Sequence, residues 1–314
     1  MNELLALKEK YLRGEISKYE YYSEIHGYHK NLYLYPALIA KSNLQKIEID
    51  GSRVVFFLET LGETVKMVNH CDDFYATGLN CLNSGSVEHE YIEMLAEIMS
   101  VTNERFCLFD IGANLGYYSL ALLKRFPDAT AYAFEPIPDT FAYLMDNISL
   151  NGMEGRVKAV NIGLSDNDND VLMYYNPSHS GTSSLKNIEN VSNDNRREVK
   201  LMKLDSYASQ MNQVIDLIKC DVEGAEKLVF EGGMDTLRKH YPVILCEMMR
   251  KWDKAFEYHP NDTIALLAQV GYQCYRVKNG VLELMPFMDE DVEEMNFLFL
   301  SEGRHADIIK AFAG

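Results

Sequence analysis

The run Phe109-Asp110-Ile111-Gly112-Ala113-Asn114-Leu115-Gly116-Tyr117-Tyr118-Ser119 constrains this chain more than any other stretch. Just before it, Arg105 to Phe109 is a short apolar run, the pattern of a buried parallel strand. Just after it, Tyr117, Leu120, Ala121, Leu122 and Leu123 recur at helical spacing until Pro127 stops the helix. The chain must turn sharply between the two, and Gly112 and Gly116 allow backbone angles and close approach that a Cβ would forbid. A strand, a Gly-rich turn and a helix N-terminus in this order form a seat for a nucleotide-like cofactor.

The residues around the turn discriminate between cofactors. Thr130 to Phe134 reads as a second strand ending at Glu135-Pro136. Glu135 stands where an acidic residue would grip the two hydroxyls of an adenosine ribose. A dinucleotide fingerprint requires glycine where Asn114 stands, so that a pyrophosphate can touch backbone. The Asn114 side chain would crowd a pyrophosphate but can hydrogen-bond an amino-acid tail. Asp110 would repel phosphates and can accept from an ammonium group. These substitutions favour S-adenosylmethionine and disfavour an NAD-dependent dehydrogenase.

The 314 residues exceed one average domain but suit a single α/β domain with an extension, and 47% hydrophobic residues supply a large core. There is no apolar run of about eighteen residues, so no membrane span is expected. Met1-Asn2-Glu3 lacks the opening of a secretory signal. The cysteines at 71, 81, 107, 220, 246 and 274 are scattered, without zinc-binding spacing, and read as thiols of a reducing cytoplasm. The net charge of −17 argues against nucleic acid as partner, since phosphates call for a basic surface. The basic pairs Arg196-Arg197 and Arg250-Lys251 sit among acids.

Residues 1 to about 40 read as helical, with Ser17 capping a second helix and Pro36 kinking or breaking the segment. Asp50-Gly51 joins two strands in a hairpin, and Val65 to Val68 suggests a third strand. These features define an α+β accessory region over residues 1–85, followed by a cofactor domain over 86–314. Seven tyrosines fall within the first thirty-five residues. Tyr19, Tyr22 and Tyr28 share one helical face, which suits helix packing or a homodimer contact better than sugar stacking. Beyond Val87, strands and helices alternate, the pattern of a doubly wound, mostly parallel sheet. The acidic run Asp289 to Glu294 reads as a solvated turn.

The order of motifs resembles the FkbM-type S-adenosylmethionine-dependent methyltransferases. The resemblance rests on Phe109 to Ser119, Ala133 to Pro136, Asn161 to Asp166, Gly181 to Leu185, Leu204 to Tyr207 and, most distinctively, Asp216 to Glu226. It implies a Rossmann-like, seven-stranded class I methyltransferase sheet with a reversed final hairpin, and an oxygen atom as methyl acceptor. It also implies that Asp110, Gly112, Ala113, Asn114, Gly116 and Tyr117 line the donor's amino-acid end. Glu135 and Pro136 would flank the ribose, and Ser165 and Asp166 the adenine edge.

A hydroxyl is a poor nucleophile, so methyl transfer to oxygen needs a positioned base or a divalent metal. Asp221, Glu223 and Glu226 follow the apolar run Ile215 to Cys220 at the edge where open α/β sheets place ligands. Asp221 could also meet the donor. His179 is a further candidate base, and Glu247 could face the same crevice. Each has a structural alternative: Asp221 as a helix cap, Glu223 and Glu226 as complements to a helix dipole, His179 as a loop residue. Three carboxylates permit Mg²⁺ without demanding it. The sequence thus points to a cytoplasmic O-methyltransferase acting on a sugar or glycan precursor. A small secondary metabolite as acceptor, or a cofactor-binding protein without catalysis, are the alternatives.

Overall fold

The structure, a computed structural model, describes residues 3–312. Fourteen strands alternate with helices: β1 Leu44–Ile49, β2 Val54–Thr60, β3 Glu63–Met67, β4 Cys107–Ile111, β5 Thr130–Phe134, β6 Val157–Val160 and β7 Gly163–Ser165, then β8 Asp170–Tyr174, β9 Arg196–Lys203, β10 Leu217–Cys220, β11 Val243–Glu247, β12 Tyr272–Lys278, β13 Val281–Leu284 and β14 Asn296–Ser301. The central sheet has the order β13-β12-β14-β11-β10-β4-β5-β6. Strands β6, β5, β4, β10 and β11 run parallel, and β14 enters antiparallel between β11 and β12. This is the doubly wound, mostly parallel sheet that the motif order leads one to expect, with one strand beyond the expected seven. Asn279 and Gly280, both at positive φ, turn the chain straight back so that β13 pairs on the outer edge of β12.

Alternate residues of each central strand feed opposite faces of the sheet. On β4 and β10, Leu108 and Leu217 pack into one core, and Cys107, Phe109, Ile111, Ile218 and Cys220 into the other. Asp110 and Lys219 fall on the Leu108 and Leu217 side, which the helix Tyr117–Arg125 covers. Strands β7, β9 and β8 form a small separate sheet in that order, β9 pairing with both of the others. Five of the six cysteines are buried, Cys71 is exposed, and all are free thiols. Among the described residues no helix is long and apolar enough to cross a membrane.

At the N-terminal end, Ser17 and Glu20 form the capping box of helix Lys18–His29. The helical segment is interrupted ahead of Pro36: helix Lys18–His29 passes into a 3-10 turn, Lys30–Tyr33, and Pro36 occupies the first turn of a new helix, Tyr35–Ile39, where its missing N–H costs no hydrogen bond. The sheet β1-β2-β3 contributes Leu58, Val65 and Met67 to the same core as Leu120 and Leu144. Asn147, on helix Pro138–Leu150, accepts from the Val68 N–H at 2.7 Å. Its amide donates to the carbonyls of Val68 at 3.1 Å and of Leu115 at 3.0 Å. One fully buried side chain thus ties the N-terminal sheet to the Gly-rich turn. Replacing Asn147 by Ala strands three buried backbone groups and should lower stability by about 2–4 kcal/mol, read as a reduced urea midpoint. An unchanged midpoint would show that the link contributes nothing.

Candidate functional site

The turn after β4 is held by its own neighbours. The N–H groups of Gly112 and Ala113 both donate to the Phe134 carbonyl, at 3.1 and 2.9 Å. The Asn114 N–H donates to Glu135 Oε2 at 3.0 Å, and Glu135 Oε1 accepts from Ile137 N–H at 2.8 Å. Ser119 in the first turn of the following helix donates through its N–H and its hydroxyl to Asp110 Oδ2, at 3.2 and 2.6 Å. A carboxylate of the chain therefore already occupies the place at this helix N-terminus that a phosphate would take. That is a physical reason for the turn to refuse a pyrophosphate.

Beside the turn lies a cavity of about 390 Å³, within the size range of small-molecule sites. Its walls come from four parts of the chain: Tyr75 to Glu88, the turn with Glu135 and Pro136, the segment Met173 to Ser183, and the ends of β10 and β11. Of the residues expected at the site, Gly112, Ala113, Asn114, Tyr117, Glu135, Pro136, His179, Asp221 and Glu223 line it. Gly112, at φ +74°, leaves no room for a side chain, because a Cβ would meet the Asp221 carbonyl oxygen at 1.8 Å. Asn114 accepts from the Ser180 hydroxyl at 3.0 Å.

The other expected residues stand outside the cavity wall. Asp110 is buried behind the turn, and Gly116 packs against Leu144, where a Cβ would come within 2.6 Å of its Cδ1. Ser165 and Asp166 follow the main chain into the small second sheet, where the Ser165 carbonyl presses on Gly232. Glu226 is buried with its carboxylate turned back on its own loop, accepting from Val222 N–H at 2.9 Å and Gly224 N–H at 3.2 Å. It shapes the loop that presents Asp221 and Glu223.

Five carboxylate side chains line the cavity, those of Glu88, Glu135, Asp221, Glu223 and Glu247, against one lysine, Lys219. Lys219 Nζ donates to the Gly112 carbonyl at 3.1 Å and to Asp221 Oδ2 at 3.0 Å. Burial disfavours its charge, but Asp221, Asp110 and Glu88 outweigh that and hold the ammonium well above its ordinary pKa. Burial, reinforced by Asp221, pushes Glu223 and Glu247 well above the usual carboxylate range. Burial also raises Glu135, to about 7. His179 stacks on Tyr75, ring centroids 4.1 Å apart, and burial lowers its pKa. A neutral imidazole and ionisable carboxylates so placed can accept a proton from a hydroxyl held between them.

A model of the methyltransferase FkbM domain matches residues 110–274, more than half of the chain. The chain belongs to this methyltransferase family. Methyltransferase sdnD of Sordaria araneosa is 29% identical over 174 residues, which is 46% of this chain and 66% of that protein. The 2-O-methyltransferase NoeI of Sinorhizobium fredii is 29% identical over 148 residues, 42% of this chain and 59% of that protein. The hexuronic acid methyltransferase AglP of Haloferax volcanii is 29% identical over 154 residues, 48% of this chain and 58% of that protein. The chain thus spans about three fifths to two thirds of the length of these relatives.

The FkbM segment contains the turn, Glu135, Asp221, Glu223 and Glu247, whereas Tyr75, Thr77, Asn80 and Glu88 of the cavity wall precede it and Met295 follows it. Sequence reading missed Tyr75, Thr77, Asn80 and Glu88. Glu88 carried one signal, an acid placed just before a helix: at φ +48° it precedes helix His89–Thr102, with its side chain in the cavity wall.

Beneath the Asp221 loop, Tyr258 donates its hydroxyl to the Gly224 carbonyl, and the nearby Asp253 is 1% exposed with neither carboxylate oxygen hydrogen-bonded. Burial, then Glu226, raises Asp253 to about 8. The native state therefore keeps a proton that the unfolded chain releases from about pH 4 upward, and stability falls as pH climbs toward 8. Asp253→Asn should remove that loss, giving an advantage over the parent on the order of 1–3 kcal/mol at pH 9 that shrinks at pH 6 in thermal melts. An advantage that grows toward low pH would contradict a buried neutral Asp253.

Proposed function

We propose that this FkbM-family chain is an S-adenosylmethionine-dependent O-methyltransferase whose acceptor is a hydroxyl of a sugar or glycan precursor. One observation carries the reading: the Gly-rich turn with Glu135 and the carboxylates Asp221, Glu223 and Glu247 open into the same cavity. The names of two relatives, a 2-O-methyltransferase and a hexuronic acid methyltransferase, support an oxygen acceptor on a sugar.

The residues present suit this donor. Glu135 retains acceptor capacity for ribose hydroxyls after binding Asn114 and Ile137 N–H, and the Asn114 amide faces the amino-acid end. An apolar crevice lined by Phe134, Leu164, Leu185 and Ala225 adjoins the cavity, sharing Gly112, Pro136, Met173 and Val222 with it. At about 30 Å³ it is too small to take an adenine ring as it stands, so the main cavity is the space for the donor; Ser165 and Asp166 follow Leu164 in sequence without lining the crevice. Bound donor supplies a methyl group on a positively charged sulfur, and carboxylates around it complement that charge. The chain's task is then alignment, worth roughly 7–11 kcal/mol in favourable systems, plus removal of the hydroxyl proton. Asp221, Glu223 and His179 are the candidate acceptors of that proton, and Lys219 fixes the orientation of Asp221.

In this reading residues 1–85 form an accessory region that walls the acceptor side through Tyr75, Thr77 and Asn80, and residues 86–314 form the methyltransferase unit. The acidic total makes nucleic acid a poor acceptor. The buried free thiols accord with a cytoplasmic setting. Tyr19 and Tyr22, 82% and 59% exposed on helix Lys18–His29, offer a surface for a homodimer.

Calorimetry should give one S-adenosylmethionine site per chain, with Asn114→Leu and Glu135→Ala each weakening it about tenfold or more. Labelled methyl should appear on a hydroxyl of a uronic acid or related glycan. Absence of donor binding would overturn the reading, and binding without transfer across a broad acceptor screen would favour a non-catalytic role. Because ionised Glu135 accepts from ribose hydroxyls, donor affinity should fall below about pH 7, by at most about tenfold per pH unit. A flat profile from pH 8 to 6 would remove Glu135 from donor binding.

A further inference from the structure

Asp221, Glu223 and Glu247 each place one carboxylate oxygen within 4.8 Å of the other two. Oxygen ligands around a hard divalent cation lie about 2.0–2.6 Å from it, so ligand pairs stand no more than about 4–5 Å apart. The three oxygens fit that spacing without rebuilding the backbone. A second observation points to a ligand: Glu223 Oε2 is sealed from solvent and has no hydrogen-bond partner among the described residues. A buried carboxylate oxygen left in this state calls for a cation or a donor.

Charge sharpens the choice. Five carboxyl side chains and one lysine line the cavity, an acid-rich wall with room for a cation beyond a donor carrying one net positive charge. Lys219 already spends its reach on Gly112 and on Oδ2 of Asp221, leaving the other oxygen of Asp221 to a further partner. The ends of two adjacent parallel strands supply the set: Asp221 follows β10, Glu223 lies two residues on, and Glu247 closes β11.

We propose that Asp221, Glu223 and Glu247 bind one divalent cation of the Mg²⁺ or Mn²⁺ class at the carboxyl edge of β10 and β11. All three ligands are oxygen, as these hard cations require, and no sulfur or imidazole is in the set. The rest of the shell is open to water or to oxygens of an acceptor, so the site would favour acceptors carrying neighbouring hydroxyl or carboxylate groups. The link to an acceptor rests on the functional reading above; the cation site does not.

The test uses full-length protein freed of metal by a chelator, without donor or acceptor. Mn²⁺ is added and the free ion is followed by electron paramagnetic resonance. The expected result is one tight site per chain, with E223Q and E247Q each weakening Mn²⁺ binding at least tenfold. Among the described residues the largely exposed group His70, Cys71 and Asp72 is the other place where three side chains able to ligate a metal meet, so D72N is the control and should leave the site unchanged. Circular dichroism and the melting temperature verify that each variant is folded. No stoichiometric Mn²⁺ binding, or binding lost in D72N and kept in E223Q and E247Q, would overturn the proposal. S-adenosylmethionine affinity is measured separately on the metal-free protein, so failure of the donor reading and failure of the cation site appear in different experiments.

Discussion

The close approach of Gly112 to Asp221 is the constraint on which the rest of the site depends. Strands β4 and β10 are parallel neighbours, and Asp221 N–H donates to the Ile111 carbonyl at 3.1 Å, continuing the ladder past the last paired residues. Two loops that leave adjacent strands at the same edge then share one small space. Only a residue without Cβ lets the first loop pass the carbonyl of the second. Lys219 closes the junction by bonding both sides of it, the Gly112 carbonyl and the Asp221 carboxylate. The Gly-rich turn and the acidic edge are thereby a single unit, and a shift of either would carry the other with it.

Charge within that unit is arranged at a cost to stability. A lysine and several acids lie largely out of water, and burial raises Asp110, Glu88, Glu223 and Glu247 above the usual carboxylate range. Natural cores avoid such crowding, because each buried charge needs a partner. Asn114, Glu88 and Glu223 also hold positive φ without being glycine. Three strained backbones and an excess of acids in one cavity are the kind of local conflict found where function, rather than folding, selects the residues.

The main sheet was legible from the chain because its signals are local. Short apolar runs with Gly or Pro punctuation marked every strand from β4 to β6 and from β10 to β14, and Asp50-Gly51 marked the first hairpin. The residues that line the cavity were less legible, because lining depends on side-chain direction. Glu223 and Glu226 lie three apart and are both acidic, but Glu223 stands in the loop at positive φ and opens to the cavity, whereas Glu226 begins the helix and folds back onto Val222 and Gly224 N–H. Ser165 and Asp166 were displaced by a topological event, the departure of β7 into a second sheet, that no periodicity records. Thr77 and Asn80 sit on helix Thr77–Ser84, a short element with too few apolar residues to mark a helical face in the sequence.

Residues that precede the family match take part in the cavity wall. The matched segment starts at Asp110, whereas the wall facing the carboxylates is built in part from residues 75–88. Those residues are not free to drift. Asp73 accepts from Ser180 N–H at 3.2 Å, Phe74 N–H donates to the Ser178 carbonyl at 3.3 Å, and Tyr75 stacks on His179. The segment carrying His179 is in turn tied to the acidic loop, where the Ser184 hydroxyl donates to the Glu223 carbonyl at 2.9 Å. A chain of direct contacts therefore runs from the N-terminal wall through the 173–184 segment to Glu223. Changes in residues 73–80 can reshape the cavity opposite the carboxylates, and through Ser180, whose hydroxyl donates to Asn114, they reach the Gly-rich turn as well.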